Sequence, residues 1–317
     1  MFIQMCDMGE YSKSEKYLRR LLTDLPESHP DMSKILFHLG RVSYLRGEYS
    51  QSLNYYEQAL EFQKREVAPN ENSFDIARTL HNVGNIHLDL KQINKALEYY
   101  EKALEMKRFV LMDNCNHPSI ATTLGAIASV YRRQGNLATA LDMCRKSYEM
   151  KKLSLVAEHP SLADSLNSLG IIYQEMDDYK EALNCYTKAL KIKQKTLPPT
   201  HPSISATLNN MGIVYRREGD YNKALICYSQ ALQIEEMTLS ADNLDLADTY
   251  NNLCTLYHEQ AEYEKALSMA RAKLHIFKKN FGPHDEQVKS VENDIQQITE
   301  EMEDSRNDRR IPLKTSF

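Results

Sequence analysis

The sequence predicts an all-α protein built of stacked antiparallel helix pairs, and three observations point to this class. Glycine and proline number only 10 each among 317 residues, too few for the many turns of a β-sandwich or β-barrel. A His-Pro dipeptide recurs at a constant spacing, from His117 to His159 and from His159 to His201. Small residues recur in step with it, which is typical of helices that pack closely against one another.

A small residue occupies two positions in each repeat unit. The first position holds Gly40, Gly84, Ala128, Gly170, Gly212 and Cys254. The second position, twelve residues later, holds Ser52, Ala96, Ala140, Ala182, Ala224 and Ala266. A turn such as Gly219-Asp220 lies between the two positions. Each unit is therefore predicted to be a helix, a tight turn and a second helix, which touch where their side chains are small.

The repeat defines the elements in order along the chain. A partial unit over 1–22 lacks most of its first helix. Six complete units are expected at 33–64, 77–108, 121–152, 163–194, 205–236 and 247–278. Residues 285–304 are predicted to form one polar helix that caps the array, and residues 305–317 are expected to be disordered. The length alone would suggest about two domains, but the repeat favours one stacked array.

The fifth unit carries the clearest motif. It runs Leu208-Asn209-Asn210-Met211-Gly212, followed by Tyr215, Ala224, Tyr228 and Ala231. This pattern resembles the tetratricopeptide repeat, whose basic unit is about 34 residues long. The longer period, the His-Pro opening and the Asn-Asn segment most resemble the repeats of kinesin light chains and related scaffolds. The resemblance implies a right-handed superhelical solenoid whose concave face is lined by the first helix of each pair.

Motifs for catalysis, phosphate binding and metal binding are missing from the sequence. We therefore expect no catalytic residue, no cofactor and no metal site. His117, His159 and His201 occupy the same place in separate repeats, too far apart to share one ion at about 2 Å, and are expected to pack or cap a helix start locally.

Composition also bears on location and partners. The six cysteines form no Cys-x-x-Cys pair and no signal peptide is recognisable, which favours a reducing, cytoplasmic compartment. The net charge of −5 gives no electrostatic reason to expect a nucleic-acid or membrane partner.

The candidate ligand-binding residues lie on the predicted first helices, at spacings that point into the concave groove. They are Arg41, His81, Asn85, Arg132, Arg133, Asn167, Asn209, Arg216, Arg217 and Asn251. An Asn amide both donates and accepts, so a ladder of Asn suits the backbone of an extended peptide. The Arg pairs favour acidic side chains or a terminal carboxylate. The alternative is that the Asn side chains join neighbouring repeats and the Arg side chains are simply solvated.

The sequence thus predicts a non-catalytic scaffold that binds a peptide segment of a protein partner, acidic in part, in this groove. One alternative is the C-terminal regulatory or substrate-recruiting array of a larger enzyme, since the chain begins inside a repeat, as a fragment, a shortened isoform or a truncated gene model would. Another is a cargo adaptor like the kinesin light chains, and a third is a structural assembly protein. Oligomeric state stays open, and Thr315-Ser316-Phe317 fits only a weak pattern for capture by a PDZ-type domain.

Overall fold

The computed structural model describes residues 11–26, 29–66, 74–112 and 116–308. Within these ranges the chain forms fourteen α-helices and no strand. The helices are α1 (Tyr11–Asp24), α2 (Met32–Leu45), α3 (Tyr49–Glu66), α4 (Phe74–Asp89), α5 (Ile93–Val110), α6 (Pro118–Arg133), α7 (Leu137–Ser154), α8 (Pro160–Glu175), α9 (Tyr179–Thr196), α10 (Pro202–Arg217), α11 (Tyr221–Thr238), α12 (Leu244–Glu259), α13 (Tyr263–Phe281) and α14 (Glu286–Asp308). The predicted all-α class is confirmed.

Helices α2 to α13 form six pairs, and a short turn reverses the chain within each pair. The middle residue of each turn has a backbone φ between 56° and 81°, in the left-handed region. Three of these residues are glycines, for which this conformation is free of strain. The other three are Lys91, Asp177 and Ala261. The turn therefore has the same geometry throughout the array, whether or not a glycine is present.

Glycine at the first small position allows a tyrosine ring to pack against the helix backbone. A Cβ atom placed on Gly84 would lie 2.7 Å from Cε1 of Tyr100 on the paired helix. The same contact joins Gly40 to Tyr56, Gly170 to Tyr186 and Gly212 to Tyr228. All four tyrosines are almost completely buried. The small position predicted from the sequence is thus the place where the helices of a pair come closest.

Histidine caps the helices that begin with His-Pro. Nδ1 of His117, His159 and His201 accepts a hydrogen bond from the backbone N–H two residues later, at 3.1 Å in each case. Oδ1 of Asn243 makes the equivalent bond to the N–H of Asp245 at 2.7 Å. These bonds satisfy N–H groups that a helix start leaves without a partner. The expected local role of the histidines is confirmed.

The helices group into two compact units, residues 1–157 and 158–317. The expectation of one stacked array remains a prediction. In a repeat protein each helix pair packs mainly on its neighbours, so no single core has to run through the whole chain. The core of the first unit includes Leu36, Leu39 and Tyr56, and one core of the second unit includes Tyr228 and Leu256.

The last helix is longer than the sequence predicted. Helix α14 extends to Asp308, so residues 305–308 are helical and the prediction of disorder is wrong for them. Arg306 forms an ion pair with Glu264 of α13 at 2.6 Å, and Ile298 packs against Ala266 and Leu267. These contacts hold α14 on α13. The tail from residue 309, which carries the PDZ-type pattern, lies outside the described ranges. Residues 1–10, where the partial first helix was predicted, also lie outside them.

None of the helices in the described part of the chain is long and apolar enough to cross a membrane.

Candidate functional site

A cavity with a cationic lining lies among the first helices of the first unit. Its volume is about 560 Å³. Among its described lining residues are Arg41, Arg78 and Lys107, and no aspartate or glutamate. The others are Phe37, Tyr44, Leu45, Tyr56, Phe74, His81, Asn82, Asn85, Ser119 and Thr122. We call this cavity the basic pocket. Three predicted groove residues, Arg41, His81 and Asn85, meet in it.

Lys107 is the most deeply buried cation of the basic pocket. It lies on the second helix α5 and is only 2% exposed. Its Nζ donates to Oγ1 of Thr123 at 2.8 Å and to the carbonyl of Ser119 at 3.3 Å. Burial, and then the charge of Arg78, lower the pKa of Lys107 to about 8. At neutral pH the pocket therefore contains a protonated amine whose two hydrogen-bond acceptors are both uncharged.

His81 and Asn85 are held in place by neighbouring side chains. Nδ1 of His81 lies 3.3 Å from Oγ1 of Thr123, and its ring packs 5.2 Å from the ring of Tyr100. Burial, and then the charge of Lys107, lower the pKa of His81 to about 3, so its ring is neutral at physiological pH. The hydroxyl of Tyr100 donates to Oδ1 of Asn85 at 2.6 Å. The side chains of His81 and Asn85 therefore form a polar side of the basic pocket, fixed by these contacts.

Two carboxylates next to the basic pocket, which do not line it, pair with residues that do. Asp75 accepts from the guanidinium of Arg78 at 3.0 Å, and Asp89 accepts from the hydroxyl of Tyr44 at 2.7 Å. The Arg78 guanidinium also lies over the ring of Phe37, with its Cζ 4.6 Å from the ring centre. Stacking and ion pairing hold the planar donor group at the edge of the cavity.

The other arginines predicted in the first unit lie at the end of α6. Arg133 donates to the carbonyl of Leu88 at 2.9 Å, across to the last turn of α4. A cation at this place also interacts favourably with the negative end of the α4 dipole. Arg132 is half-buried beside it. Neither residue lines the basic pocket, so the structure places this Arg pair apart from Arg41.

In the second unit, the predicted Asn side chains join neighbouring first helices. Oδ1 of Asn167 accepts from the hydroxyl of Thr207 at 3.3 Å. Nδ2 of Asn209 donates to Oγ1 of Thr249 at 2.6 Å and to Oε1 of Glu235 at 3.2 Å. The structure thus gives these amides the inter-repeat contacts of the alternative interpretation, and peptide binding by them remains a prediction.

The remaining predicted residues of the second unit also have protein partners. Arg216 forms an ion pair with Glu259 of the next first helix. Arg217 lies 3.6 Å from Asp177. Carboxylates of neighbouring repeats therefore balance the charges of both arginines. The structure does not present them as two unpaired cations for an acidic ligand. Oδ1 of Asn251 accepts from Nζ of Lys273 at 2.9 Å.

A second cavity, lined by α10, α11 and α12, contains two of the predicted Asn residues. Its volume is about 550 Å³. Asn209 and Asn251 line it together with Glu235, Asp245 and Asp248, and no lysine, arginine or histidine stands among its described lining residues. We call it the acidic pocket.

Two residues that line these pockets were not predicted from the sequence. Lys107 and Glu235 lie on second helices, outside the face from which groove residues were selected. Both occupy the same repeat position, which also holds Gln63, Lys151, Lys193 and Phe277. The sequence does carry a sign of their importance, because a polar residue recurs at a position where the helix faces the protein interior.

The repeats and the fold match known proteins. A family model described as tetratricopeptide repeat matches residues 31–109, 119–195 and 203–279. A comparison with curated protein sequences finds no match.

Three solved structures show the similarity of fold. BtubC (BKLC) from P. vanneervenii is 22% identical, with a TM-score of 0.57 and coverage of 72% of this chain and 89% of that chain. A putative kinesin light chain from Podosopora anserina is 22% identical, with a TM-score of 0.55 and coverage of 64% of this chain and 94% of that chain. A tetratricopeptide repeat protein from Parabacteroides merdae is 16% identical, with a TM-score of 0.60 and coverage of 94% and 96%.

Proposed function

The chain belongs to the tetratricopeptide repeat family, and we propose that it is a non-catalytic scaffold that binds an extended, acidic peptide segment of a partner protein. The family's fold suggests a protein-protein interaction scaffold. The observation that carries the finer proposal is the basic pocket, which collects Arg41, Arg78 and Lys107 beside the Asn85 amide. A cytoplasmic location is part of the proposal.

The charge of the basic pocket supports an acidic ligand. Lys107 is buried without a carboxylate partner among the described residues, and a buried cation costs less free energy when an anion approaches it. Arg41 and Arg78 present guanidinium groups, which bind carboxylates through two parallel hydrogen bonds. A cavity of about 560 Å³ lies in the range of specific ligand sites, about 300–1,000 Å³.

The test uses peptides selected for binding to the full chain from a random display library. We expect the selected sequences to be enriched in aspartate and glutamate. Binding of a labelled selected peptide, measured by fluorescence polarisation, is expected to weaken about tenfold to a hundredfold in the double variant Arg41→Gln with Arg78→Gln, because each removes a charge-assisted contact.

The control for this test is Arg65→Gln. Arg65 lies on the exposed side of α3 with 72% of its side chain exposed, so this variant removes a positive charge without reaching the pocket. Affinity that stays unchanged in the double variant, or that falls as far in the control, would reject the basic pocket as the peptide site.

A narrower candidate is a cargo adaptor similar to kinesin light chains. The long repeat with its His-Pro opening and the fold similarity to the Podosopora anserina protein favour it. The sequence has no sustained heptad run, the feature through which kinesin light chains dock on the motor heavy chain. This candidate therefore predicts that cargo peptides bind to the chain and that purified motor heavy chain does not. Direct binding of the heavy chain in size-exclusion chromatography would contradict that prediction.

A further inference from the structure

The acidic pocket is lined from several of the same repeat positions as the basic pocket, with the opposite charge. Glu235 stands at the repeat position of Lys107, and Asp245 and Asp248 stand at the positions of Ser119 and Thr122. Because both cavities lie beside the first helices, a peptide that runs along these helices in the second unit passes the acidic pocket.

Two acceptor atoms in the acidic pocket lack a donor. The Glu235 residue is only 2% exposed, and its Oε1 accepts from Asn209 at 3.2 Å. Its Oε2 is buried without a hydrogen bond of normal geometry in the described structure, and so is Oδ1 of Asn209. Leaving a buried acceptor unpaired is unfavourable, and more so when the group is charged. The groups that donate toward Glu235 are neutral, the Asn209 amide and the hydroxyls of Thr249 and Ser205, and no donor in the described lining carries a positive charge.

Burial also disfavours the charged form of Glu235. It raises the pKa of this carboxyl, while the nearby hydroxyls of Thr249 and Ser205 lower it part of the way. A positively charged donor would supply the missing hydrogen bond. It would also stabilise the buried carboxylate in its charged form.

The shape of the site favours a long organic cation over a metal ion. No group of three or more His, Cys, Asp or Glu side chains in the described residues is arranged to hold a metal. Asp245 and Asp248 are exposed and Glu235 is buried, so the carboxylates extend from the surface to the interior. Lys273 touches Asn251, but the lining still carries three carboxylates and no cation.

We propose that the acidic pocket binds a lysine or arginine side chain of a peptide held along the first helices of the second unit. The proposal rests on the function proposed above and extends it by naming a second subsite and the side chain that enters it. The cationic head group donates to Glu235 and Asn209, and its stem lies between Asp245 and Asp248.

The test measures fluorescence polarisation of three labelled decapeptides with the full chain in about 0.15 M salt. Alanine alternates with arginine in the first peptide, with citrulline in the second and with glutamate in the third. Citrulline has nearly the shape of arginine without its charge, so this comparison isolates the charge. We expect the arginine peptide to bind about tenfold or more tightly than the citrulline peptide.

The matched variants are Glu235→Gln and Glu218→Gln. Glutamine at position 235 keeps the side-chain length, and the equivalent Gln63 accepts from Thr79 at 2.9 Å, so the fold tolerates this residue. Glu218 is exposed in the turn after α10. We expect Glu235→Gln to weaken the arginine peptide about tenfold and Glu218→Gln to leave its affinity unchanged.

Equal binding of the arginine and citrulline peptides, or equal losses in the two variants, would overturn the proposal. If the glutamate peptide then still binds and depends on Arg41 and Arg78, the proposed scaffold function stands without the cation subsite. If none of the three peptides binds and display selection yields no ligand, both proposals fail together.

Discussion

In four of the six units, one position on the second helices carries a buried polar side chain, and its chemistry changes from repeat to repeat. It holds Gln63, Lys107, Lys193 and Glu235, which are 5%, 2%, 4% and 2% exposed. The first three contact the hydroxyl of a threonine on the following first helix at 2.8–2.9 Å. The hydrogen bond keeps neighbouring pairs in register, while the charge varies freely. Lys107 and Glu235 thus contribute the buried charge of the basic pocket and of the acidic pocket.

The depressed pKa of Lys107 predicts a pH dependence of stability. The unfolded lysine keeps its proton up to the ordinary lysine pKa of 10.5, whereas burial lowers the pKa of the folded one to about 8. Between these values the unfolded state binds more protons, so the free energy of unfolding rises with pH. We expect Lys107→Gln to abolish about 1–2 kcal/mol of this rise between pH 7.5 and 9.5.

Urea unfolding of the wild type and Lys107→Gln across this pH range checks the prediction. The difference between the two proteins isolates Lys107 from Lys193 and from the tyrosines, which are present in both. A constant difference across the range would show that burial does not shift the pKa of this lysine.

At the scale of the element, the turn within each pair imposes one backbone conformation on different residues. Gly47, Gly135 and Gly219 adopt the left-handed conformation without strain, whereas Lys91 and Ala261 have a Cβ atom that collides with the backbone there. The sequence identifies these turns only where glycine is present. Elsewhere the packing of the two helices compels the same turn, at a cost in free energy.

We expect Ala261→Gly to stabilise the protein by about 1 kcal/mol, because it removes this strain. Ala261 is exposed, so little packing is lost. The matched control is Ala206→Gly, in the exposed interior of α10, which should destabilise by about 1 kcal/mol. Thermal unfolding of both variants measures the effects. A loss of stability in Ala261→Gly would contradict the strain at this turn.

At the scale of the whole molecule, the end of the second unit depends on α14. Val288, Val291 and Ile298 are buried on this helix, and Ile298 covers Ala266 and Leu267 of α13. We expect a chain ending at residue 284 to unfold at lower urea concentration and to bind more of a hydrophobic dye, since the last pair of an array needs a covering helix.

The full-length variant Ile298→Ala is the intermediate case for this prediction. It should lose about 2–5 kcal/mol through the cavity it creates and bind less dye than the shortened chain. A shortened chain as stable as the full-length protein would show that α14 is not a cap.

The fold could be predicted from the sequence because each copy of the repeat makes the same internal contacts. The site could be predicted only in part. Helical spacing places Arg216 and Arg217 on the first-helix face, yet Glu259 and Asp177 pair with them, which depends on how successive repeats stack. Lys107 enters a pocket from a second helix, so a search restricted to first helices does not reach it.

The contact between Gly84 and Tyr100 has a consequence for how such a chain can grow. Where the third unit has Ala128, the tyrosine position holds Cys144, and where the sixth has Cys254, it holds Ala270. A larger residue on one helix accompanies a smaller one on the other. Because both members belong to the same unit, a duplicated unit brings its own complementary pair. This contact therefore requires no compensating change in the neighbouring units when a unit is copied or inserted.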